Sequence, residues 1–470
     1  MRLPHRETLT MPQTLESPTI AGIPKSAGPR RKPREIRIGL LGAGSVGQAV
    51  IRRCARWRDS DGPLRPVIAA ALVRDASRPR GLPPERVTDD AELFFNPEEV
   101  YDVVVEVLGG VEPARTLVAR ALAAGTPVVT ANKSLLAAHG DELRALAAAN
   151  RTSLRCEASV LAGIPLLGTL ARRPLVADVR QLSGIVNGTS NFILSAMRRE
   201  SLTLRDALTK AAELGLAEPN ADNDLLGIDA CEKLVVLLAH IGAPGARPRQ
   251  IETAGITRLR PDDLAAAASF GGVIKPVAHA SRDDDGVRAF VGPAFLSADH
   301  ALAAIEREQN AIVLRGDGVG ELLFAGPGAG PDVTAVSILD DVIETATGDG
   351  SGFRVQKGAQ CTVHSSQTTD RGARTTPAPQ PSVFDLLPCL TPWFVRFEFR
   401  SSPPAPARLA EFLGAHGVWL RRTADVRAGG GVFTIHALTH ECWRDRLEEA
   451  LAQLTAATGG ETFACRVLES

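Results

Sequence analysis

The densest group of residues that could do chemistry lies between positions 215 and 233. Asp229 and Lys233 are four positions apart in a stretch whose pattern predicts a helix, so the two side chains share one face. The residues after Lys233 are almost all apolar, which predicts that this helix is largely buried. A buried lysine needs an acidic partner, and a partly desolvated lysine is a ready proton donor. The pattern therefore favours proton transfer at Lys233 over an ordinary surface ion pair.

A second candidate is Lys133, at the end of the run Thr130-Ala131-Asn132-Lys133. This run follows a predicted strand, and the carboxyl edge of a parallel sheet is where such folds bind ligands. The start of a helix favours an acid over a cation. We therefore favour a functional role for Lys133, although a solvated residue at a helix start is the open alternative.

Three glycines, Gly42, Gly44 and Gly47, form a G-x-G-x-x-G motif between a predicted strand (36–41) and a predicted helix (48–58). Gly42 permits a tight turn, Gly44 lets a pyrophosphate approach the backbone, and Gly47 allows close helix packing. The N-terminus of the helix adds N–H groups and a positive dipole end. In this context the motif predicts dinucleotide binding rather than a glycine-rich turn without a ligand.

The residues after the second predicted strand (67–73) bear on which dinucleotide is bound. A carboxylate there suits the ribose of NAD, whereas an arginine suits the 2′-phosphate of NADP. The chain has both, Arg74 followed by Asp75, with Arg78 and Arg80 nearby. Arg74 favours NADP, with use of both cofactors as an alternative and a merely solvated basic loop as another.

The surrounding elements predict an α/β protein of several domains. Strands alternating with helices over 36–150 indicate a Rossmann-type, doubly wound parallel sheet. Residues 151–347 have the α+β character of a catalytic or dimerisation domain, and 348–392 resemble a linker. Residues 393–470 show the order βαββαβ of a ferredoxin-like unit. The polar segment 1–35 predicts a disordered tail, with a weaker alternative of organelle targeting.

Composition excludes several classes of protein. The 470 residues include 53 Lys+Arg and 54 Asp+Glu, a formal net charge of −1 that argues against a dedicated nucleic-acid binder. No apolar run reaches the about 18 residues that a membrane helix needs. The seven cysteines are scattered and never spaced as CxxC, which fits a reducing, cytoplasmic location.

Several motifs in register resemble the homoserine dehydrogenase family. Matching positions include Glu218, Gly227, Asp229 and Lys233, and the run Gly184–Leu194 is similar to that family's most distinctive signature. Further matches are found at 105–113, 130–133, 157–165 and 328–330. The C-terminal unit resembles an ACT regulatory domain.

The resemblance implies NAD(P)-dependent interconversion of L-homoserine and L-aspartate 4-semialdehyde, in the biosynthesis of threonine, methionine and isoleucine. It implies that Lys233 donates the proton, that Lys133 assists at the reacting oxygen and contacts the cofactor, and that Glu218, Asp224 and Asp229 hold the substrate. The implied cofactor-binding residues are Gly42, Gly44, Ser45, Val46, Gly47, Arg74, Gly109, Lys133 and Gly330. A structural monovalent cation, usually sodium, is implied at Glu157, Val160, Ala162 and Ile164, mostly through backbone oxygens. A homodimer or homotetramer is also implied.

The chain departs from the family pattern at two places. Leu216 replaces an aromatic residue, and Asn220-Ala221 replaces Asp-Pro near the substrate motif. In the ACT-like unit the usual Asp-x-Pro-Gly loop is Ser401-Ser402-Pro403-Pro404, and proline removes an N–H donor and fixes φ. We therefore expect weak or absent sensitivity to threonine.

Three rival functions follow from these residues. One is a related oxidoreductase with a different amino-acid substrate, and another is a non-catalytic NAD(P)-binding sensor. The third, aspartate-semialdehyde dehydrogenase, would need a cysteine nucleophile. Cys156 and Cys231 lack an evident histidine partner nearby in the sequence.

Overall fold

The computed structural model describes most of the chain outside its predicted tail and linker. The described residues are 33–58, 63–172, 179–218, 220–283, 286–318, 320–347, 390–400, 404, 406–424, 427–429 and 432–468. Most of the predicted tail (1–35), most of the predicted linker (348–392) and residues 401–403 of the ACT-like loop therefore lie outside the described residues. None of the described helices is long and apolar enough to span a membrane.

The N-terminal region is built on a parallel sheet. Its elements are β1 (Arg34–Leu41), α1 (Ser45–Ala55), β2 (Leu64–Leu72), β3 (Val87–Thr88), α2 (Ala91–Phe94), β4 (Val103–Glu106), α3 (Ala114–Ala123), β5 (Val128–Thr130), α4 (Lys133–Ala149) and β6 (Leu154–Arg155). The strand order is β3-β2-β1-β4-β5-β6, with every neighbouring pair parallel. The buried side chains of β1 are apolar and enter cores on both faces of the sheet, with Leu41 in one and Ile36, Ile38 and Leu40 in the other. The predicted doubly wound sheet is confirmed.

The middle region combines helices with a mixed sheet. Its elements are α5 (Leu167–Arg172), β7 (Gln181–Ile185), α6 (Gly188–Glu200), α7 (Leu204–Glu213), α8 (Asp222–Leu225), α9 (Ile228–His240), β8 (Glu252–Thr253), α10 (Pro261–Ser269), β9 (Gly272–Asp283), β10 (Gly286–Ser297), β11 (Gln309–Gly316), β12 (Gly320–Pro327) and α11 (Pro331–Thr347). Strands β9 and β10 form a long antiparallel hairpin at the centre. The α+β character is confirmed.

The C-terminal region continues the same sheet. Its elements are β13 (Leu390–Thr391), β14 (Trp393–Phe399), α12 (Pro406–Ala415), β15 (Leu420–Thr423), β16 (Arg427–Gly429), β17 (Val432–Thr439), β18 (Cys442–Trp443), α13 (Arg444–Thr458) and β19 (Thr462–Leu468). The strand order β19-β14-β17-β15 within the sheet agrees with the predicted βαββαβ unit. Because β19 pairs with β10, one sheet runs through both regions.

Helix α11 returns to the N-terminal sheet although it follows the mixed sheet in the chain. Its buried residues Ala335, Ile338, Leu339 and Val342 share a core with β1 and α1. At the start of α11, Asp332 Oδ1 accepts a hydrogen bond from Arg52 Nη2 of α1 at 3.3 Å. The return of α11 therefore packs a segment that follows the mixed sheet against the nucleotide sheet.

Candidate active site

The glycine-rich turn between β1 and α1 has the geometry that the motif predicts. Gly42 has φ +99°, and a Cβ there would lie 2.9 Å from the carbonyl oxygen of Val107. A Cβ on Gly47 would lie 2.4 Å from the carbonyl oxygen of Gly42. At Gly44, by contrast, a Cβ would meet nothing within 4 Å. The first and third glycines are thus required by protein packing, and the second faces open space.

The first turn of α1 is suited to an anion. Its N-cap residue, Gly44, provides no side-chain cap, and the turn contains no acidic residue. The backbone N–H groups of Ser45 and Val46 lie in this turn, where an α-helix leaves its amides without intrahelical partners. An uncapped helix N-terminus after a parallel strand is a site for a pyrophosphate.

A buried carboxylate, Glu106, organises the carboxyl edge of β4 and β5. It accepts hydrogen bonds from the Leu108 amide (2.8 Å), from Asn132 Nδ2 (3.2 Å) and from the Thr130 hydroxyl. Asn132 also donates to the Gly110 carbonyl at 2.6 Å and caps α4 through Leu135 N. These hydrogen bonds lower the pKa of Glu106, but burial outweighs them and raises it above its usual value. The network links the Gly109–Gly110 turn to the residue that precedes Lys133.

Two lysines from different elements meet at one carboxylate. Lys233 Nζ lies 2.8 Å from Asp229 Oδ2, and Lys133 Nζ lies 3.2 Å from Asp229 Oδ1. Lys233 also donates to the carbonyl oxygen of Val186 at 2.6 Å. Its side chain is 11% exposed, whereas that of Lys133 is 33% exposed. The structure thus shows the buried pairing of Lys233 that the helix pattern predicted, and it adds Lys133 to the same cluster.

The charges of this cluster change the acidity of its members. Burial alone would raise the pKa of Asp229, but the charges of Lys233 and Lys133 outweigh it and lower the pKa to about 2. Burial would lower the pKa of Lys133, yet Asp229 and other nearby carboxylates raise it above its usual value. Asp229 is therefore ionised, Lys133 is charged, and the site holds fixed charges for a polar substrate.

A second carboxylate, Asp224, is joined to this cluster by Asn187. The amide nitrogen of Asn187 donates to Asp224 Oδ1 at 2.7 Å and to Asp229 Oδ2 at 2.8 Å. Burial and the charge of Asp229 raise the pKa of Asp224. Sequence reasoning did not single out Asn187. Its place directly before α6, where an asparagine is a common cap, was the available signal.

Glu218 is not brought into contact with the cluster. It is exposed in the loop before α8, and among the described residues it makes no hydrogen bond or ion pair with Lys233, Asp224 or Asp229. Ala221 of the departing Asn220-Ala221 pair is buried just before α8. The predicted substrate-binding residues Asp224 and Asp229 therefore lie together, and Glu218 lies apart.

The predicted cation-binding segment forms a buried turn before α5. The carboxylate of Glu157 accepts the backbone N–H groups of Leu166 (2.7 Å), Leu167 (2.9 Å) and Gly168 (2.5 Å). The described residues contain no group of three or more His, Cys, Asp or Glu side chains that could hold a metal. Any fit to a cation is thus through backbone oxygens of this segment. Ala162 O already accepts the Ser337 hydroxyl, and a carbonyl oxygen has two lone pairs.

The two residues that bear on cofactor choice differ in their contacts. Asp75 accepts hydrogen bonds from Ser77 N (3.0 Å) and Ser77 Oγ (2.5 Å) and from Arg78 Nε (3.0 Å). The hydrogen bonds from Ser77 and the Arg78 charge lower the pKa of Asp75. Arg74 is exposed just beyond β2 and makes no ion pair with a described residue.

One cysteine has a histidine neighbour that the sequence did not reveal. Cys156 Sγ lies 3.7 Å from His240 Nε2. Burial raises the pKa of Cys156 to about 12 and lowers that of His240 to about 4, so both groups are neutral. A neutral, buried thiol is a poor nucleophile, and the pair does not favour the aspartate-semialdehyde dehydrogenase alternative.

Comparison with known proteins gives the same family for both main regions. Residues 42–157 match the family described as "Homoserine dehydrogenase, NAD binding domain", and residues 165–343 match "Homoserine dehydrogenase". The homoserine dehydrogenase of Lactococcus lactis is 36% identical over 325 residues, which cover 67% of this chain and 76% of the relative.

Solved structures extend the likeness toward the C-terminus. A homoserine dehydrogenase from Thiobacillus denitrificans has a TM-score of 0.77 and 31% identity, and covers 93% of this chain and 99% of that one. A hyperthermophilic archaeal homoserine dehydrogenase in complex with NADPH has a TM-score of 0.55 and 28% identity, and covers 67% of this chain and 98% of its own. On these matches over both main regions, this chain belongs to the homoserine dehydrogenase family of NAD(P)-dependent oxidoreductases.

Proposed function

We propose that Lys233, Lys133 and Asp229 form the catalytic centre of this dehydrogenase, acting on L-homoserine and L-aspartate 4-semialdehyde. The observation that carries the proposal is the convergence of the two lysines on Asp229, with Lys233 almost buried. In the direction of aldehyde reduction, the Lys233 ammonium gives its proton to the aldehyde oxygen. Lys133 stabilises the negative charge that develops on that oxygen. In the reverse direction Lys233 takes the proton of the hydroxyl group.

The bound nicotinamide cofactor supplies or accepts the hydride. The glycine-rich turn and the first turn of α1 would bind its pyrophosphate through Gly44, Ser45 and Val46. Gly109 and Gly330 would flank it at the same edge of the sheet. Asp224 and Asp229 would hold the ammonium group of the amino acid, since both are acidic and both lie beside Lys233. Glu218 would join them only by a movement of its loop.

We further propose that NADP is preferred to NAD. The carboxylate that could bind a ribose hydroxyl, Asp75, already accepts three hydrogen bonds from Ser77 and Arg78. Arg74 is exposed beside it, and a guanidinium suits a 2′-phosphate. The archaeal relative was solved in complex with NADPH.

Four finer assignments complete the proposal. The residues around Glu157, Val160, Ala162 and Ile164 would hold a monovalent cation through backbone oxygens, which would stabilise that turn. The protein would work in the cytoplasm as a homodimer or homotetramer. Region boundaries at residues 150, 347 and 392 would separate nucleotide, catalytic and C-terminal domains. The C-terminal domain would be ACT-like, with weak sensitivity to threonine.

The test follows the absorbance of reduced nicotinamide while purified protein oxidises L-homoserine, with NAD and NADP supplied separately. We expect turnover that is faster with NADP at low cofactor concentration and that is lost in Lys233→Met. Cofactor binding by Lys233→Met, measured by fluorescence of the reduced nicotinamide, should remain. Equal turnover of Lys233→Met and the parent chain would contradict the role given to Lys233.

A further inference from the structure

Asn187 occupies a position that none of the roles above explains. It is 6% exposed and lies at the start of α6, directly after Val186, whose carbonyl oxygen accepts a hydrogen bond from Lys233. Its amide nitrogen donates to Asp224 at 2.7 Å and to Asp229 at 2.8 Å. Its amide oxygen accepts the Ser190 N–H at 2.8 Å and so caps α6. Each polar atom of this side chain is therefore engaged.

The oxygen and the nitrogen of the Asn187 amide have different roles. The oxygen satisfies an amide at the helix start, which is a structural role common to asparagine at this position. The nitrogen lies between two acids on neighbouring helices, α8 and α9, which would otherwise face each other with only Lys233 and Lys133 to offset their charge. The asparagine amide is the smallest side-chain group with two N–H donors, so it can join two carboxylates without adding charge.

The donor half also fixes the direction of Asp229. Asp229 Oδ2 accepts from both Asn187 and Lys233, which leaves Oδ1 directed toward Lys133. Without the amide, Asp229 could rotate and release one of its lysines. The arrangement of the two lysines thus depends on a residue that comes from a third helix.

We propose that Asn187 is a positioning residue for the dehydrogenase reaction, holding Asp224 and Asp229 so that Asp229 presents one oxygen to each lysine. This inference rests on the roles proposed above for Lys133, Lys233 and Asp229. Asn187 itself exchanges no proton and acts through the carboxylates.

The two halves of the amide can be separated by substitution. Asn187→Ser keeps a good helix cap but removes the paired donors, and Asn187→Ala removes both. Thr203 is the matched control, because it caps α7 through Asp206 N and lies outside the site. Thr203→Ala reports the loss of a cap alone.

We expect Asn187→Ser to reduce kcat/KM for L-homoserine by roughly 10- to 100-fold, the range for a lost hydrogen bond to a charged group. Thr203→Ala should keep the parent kcat/KM and lose only thermal stability. Asn187→Ala should match Asn187→Ser in kcat/KM and be less stable than it.

The pH dependence of kcat/KM supplies a second test, because the loss of a helix cap alone should not change it. The charged groups that face Asp224 and Asp229 are Lys133 from α4 and Lys233 from α9, and Thr189 lies beside Asp224. Asn187 lowers the pKa of both acids by donating to them. Its loss should therefore move the acidic limb of kcat/KM to higher pH. Asn187→Asp, which keeps the cap and adds a third carboxylate, should move it further.

The outcomes are distinguishable. If the parent chain does not oxidise L-homoserine, the proposed function is refuted, and the role given to Asn187 is refuted with it. If the parent is active while folded Asn187→Ser keeps its kcat/KM within twofold and its pH profile, Asn187 is only a helix cap. Should Asn187→Ser fail to fold, an Asn187→Asp protein with the parent profile would overturn the proposal equally.

Discussion

Two aspartates, each paired with basic side chains, show how similar contacts have different roles in this chain. Asp229 lies between Lys133 and Lys233 in the proposed active site. Asp263, in α10, lies between Arg396 and His436 where the C-terminal region packs on the middle region. Asp263 and His436 are 0% exposed and Arg396 is 1% exposed. In contrast, Lys133 remains one-third exposed.

The two aspartates differ in whether their partners can also contact a ligand. Asp263 accepts from the Arg396 guanidinium, from His436 Nε2 at 2.9 Å and from Arg260 N at 2.8 Å, so protein donors surround it. The cations around Asp229 are ammonium groups on flexible stems, which can turn toward a substrate. A fully enclosed carboxylate with rigid guanidinium and imidazole partners suits a domain interface, whereas a carboxylate paired with a partly exposed lysine suits a reaction.

The largest expected effect is a loss of activity when the cluster around Asp229 is changed. Lys233→Met should lower kcat by about 10²- to 10⁴-fold, the usual contribution of a general acid or base. Asp229 keeps Lys133 and Asn187 as partners in this variant, so the chain should still fold. Steady-state kinetics and circular dichroism on the same preparation give both quantities. A variant that loses both structure and activity would remove the distinction between the clusters.

The second prediction concerns the cluster around Asp263, where a substitution should lower stability and leave activity unchanged. Asp263→Ala leaves Arg396 buried with only Glu398, at 3.3 Å, as an acidic partner, and this loss should cost about 3–5 kcal/mol of unfolding free energy in urea. Folded protein should keep its kcat, because among the described residues Asp263 makes no hydrogen bond or ion pair with a proposed site residue. Asp263→Leu combined with Arg396→Met should recover much of the loss, since a buried ion pair can be replaced by apolar side chains. A large fall in kcat for folded Asp263→Ala would show that the interface governs the site.

These two clusters also show what the sequence could and could not predict. The Asp229–Lys233 pair is readable because four residues along a helix fix the contact. The glycine turn and the βαββαβ order are local patterns as well. The partners of Asp263 come from strands more than a hundred residues later, and no periodicity encodes that packing.

Other misses have the same origin. Strands β9 and β12 were not predicted, since β9 contains Pro276 and β12 is a largely exposed edge strand. The return of α11 to the nucleotide sheet and the contacts of Asn187 are long-range events. Glu218 lies in an exposed loop rather than on a helix, so no local pattern fixes its distance from the other acids.

A third prediction uses pH to test whether Asp229 is as firmly paired as its neighbours imply. Its pKa is lowered from 3.8 to about 2, so its ionised form stabilises the folded state by about 2 kcal/mol above pH 4. This contribution is lost as pH falls from about 4 through 2. Urea unfolding of the parent and of Asp229→Asn should therefore differ most at pH 5 and converge toward pH 2. A difference that stays constant with pH would mean that Asp229 is not stabilised as an anion.

The smallest expected effect concerns an exposed carboxylate, Asp75, and the arginine beside it. Asp75 is held by Ser77 and Arg78, so neither an enclosed interface nor a reacting centre is formed there, and in the proposed function Arg74 would contact the cofactor. Arg74→Ala should reduce the ratio of kcat/KM for NADP over NAD by about tenfold, since it removes one charge-assisted contact to a phosphate. Arg65→Ala, an exposed arginine at the opposite end of β2, is the matched control and should keep the parent ratio. If Arg74→Ala also keeps the parent ratio, another residue binds the 2′-phosphate. The exposure of an arginine next to the cofactor-binding edge of the sheet would then not be enough to identify it as a cofactor-binding residue.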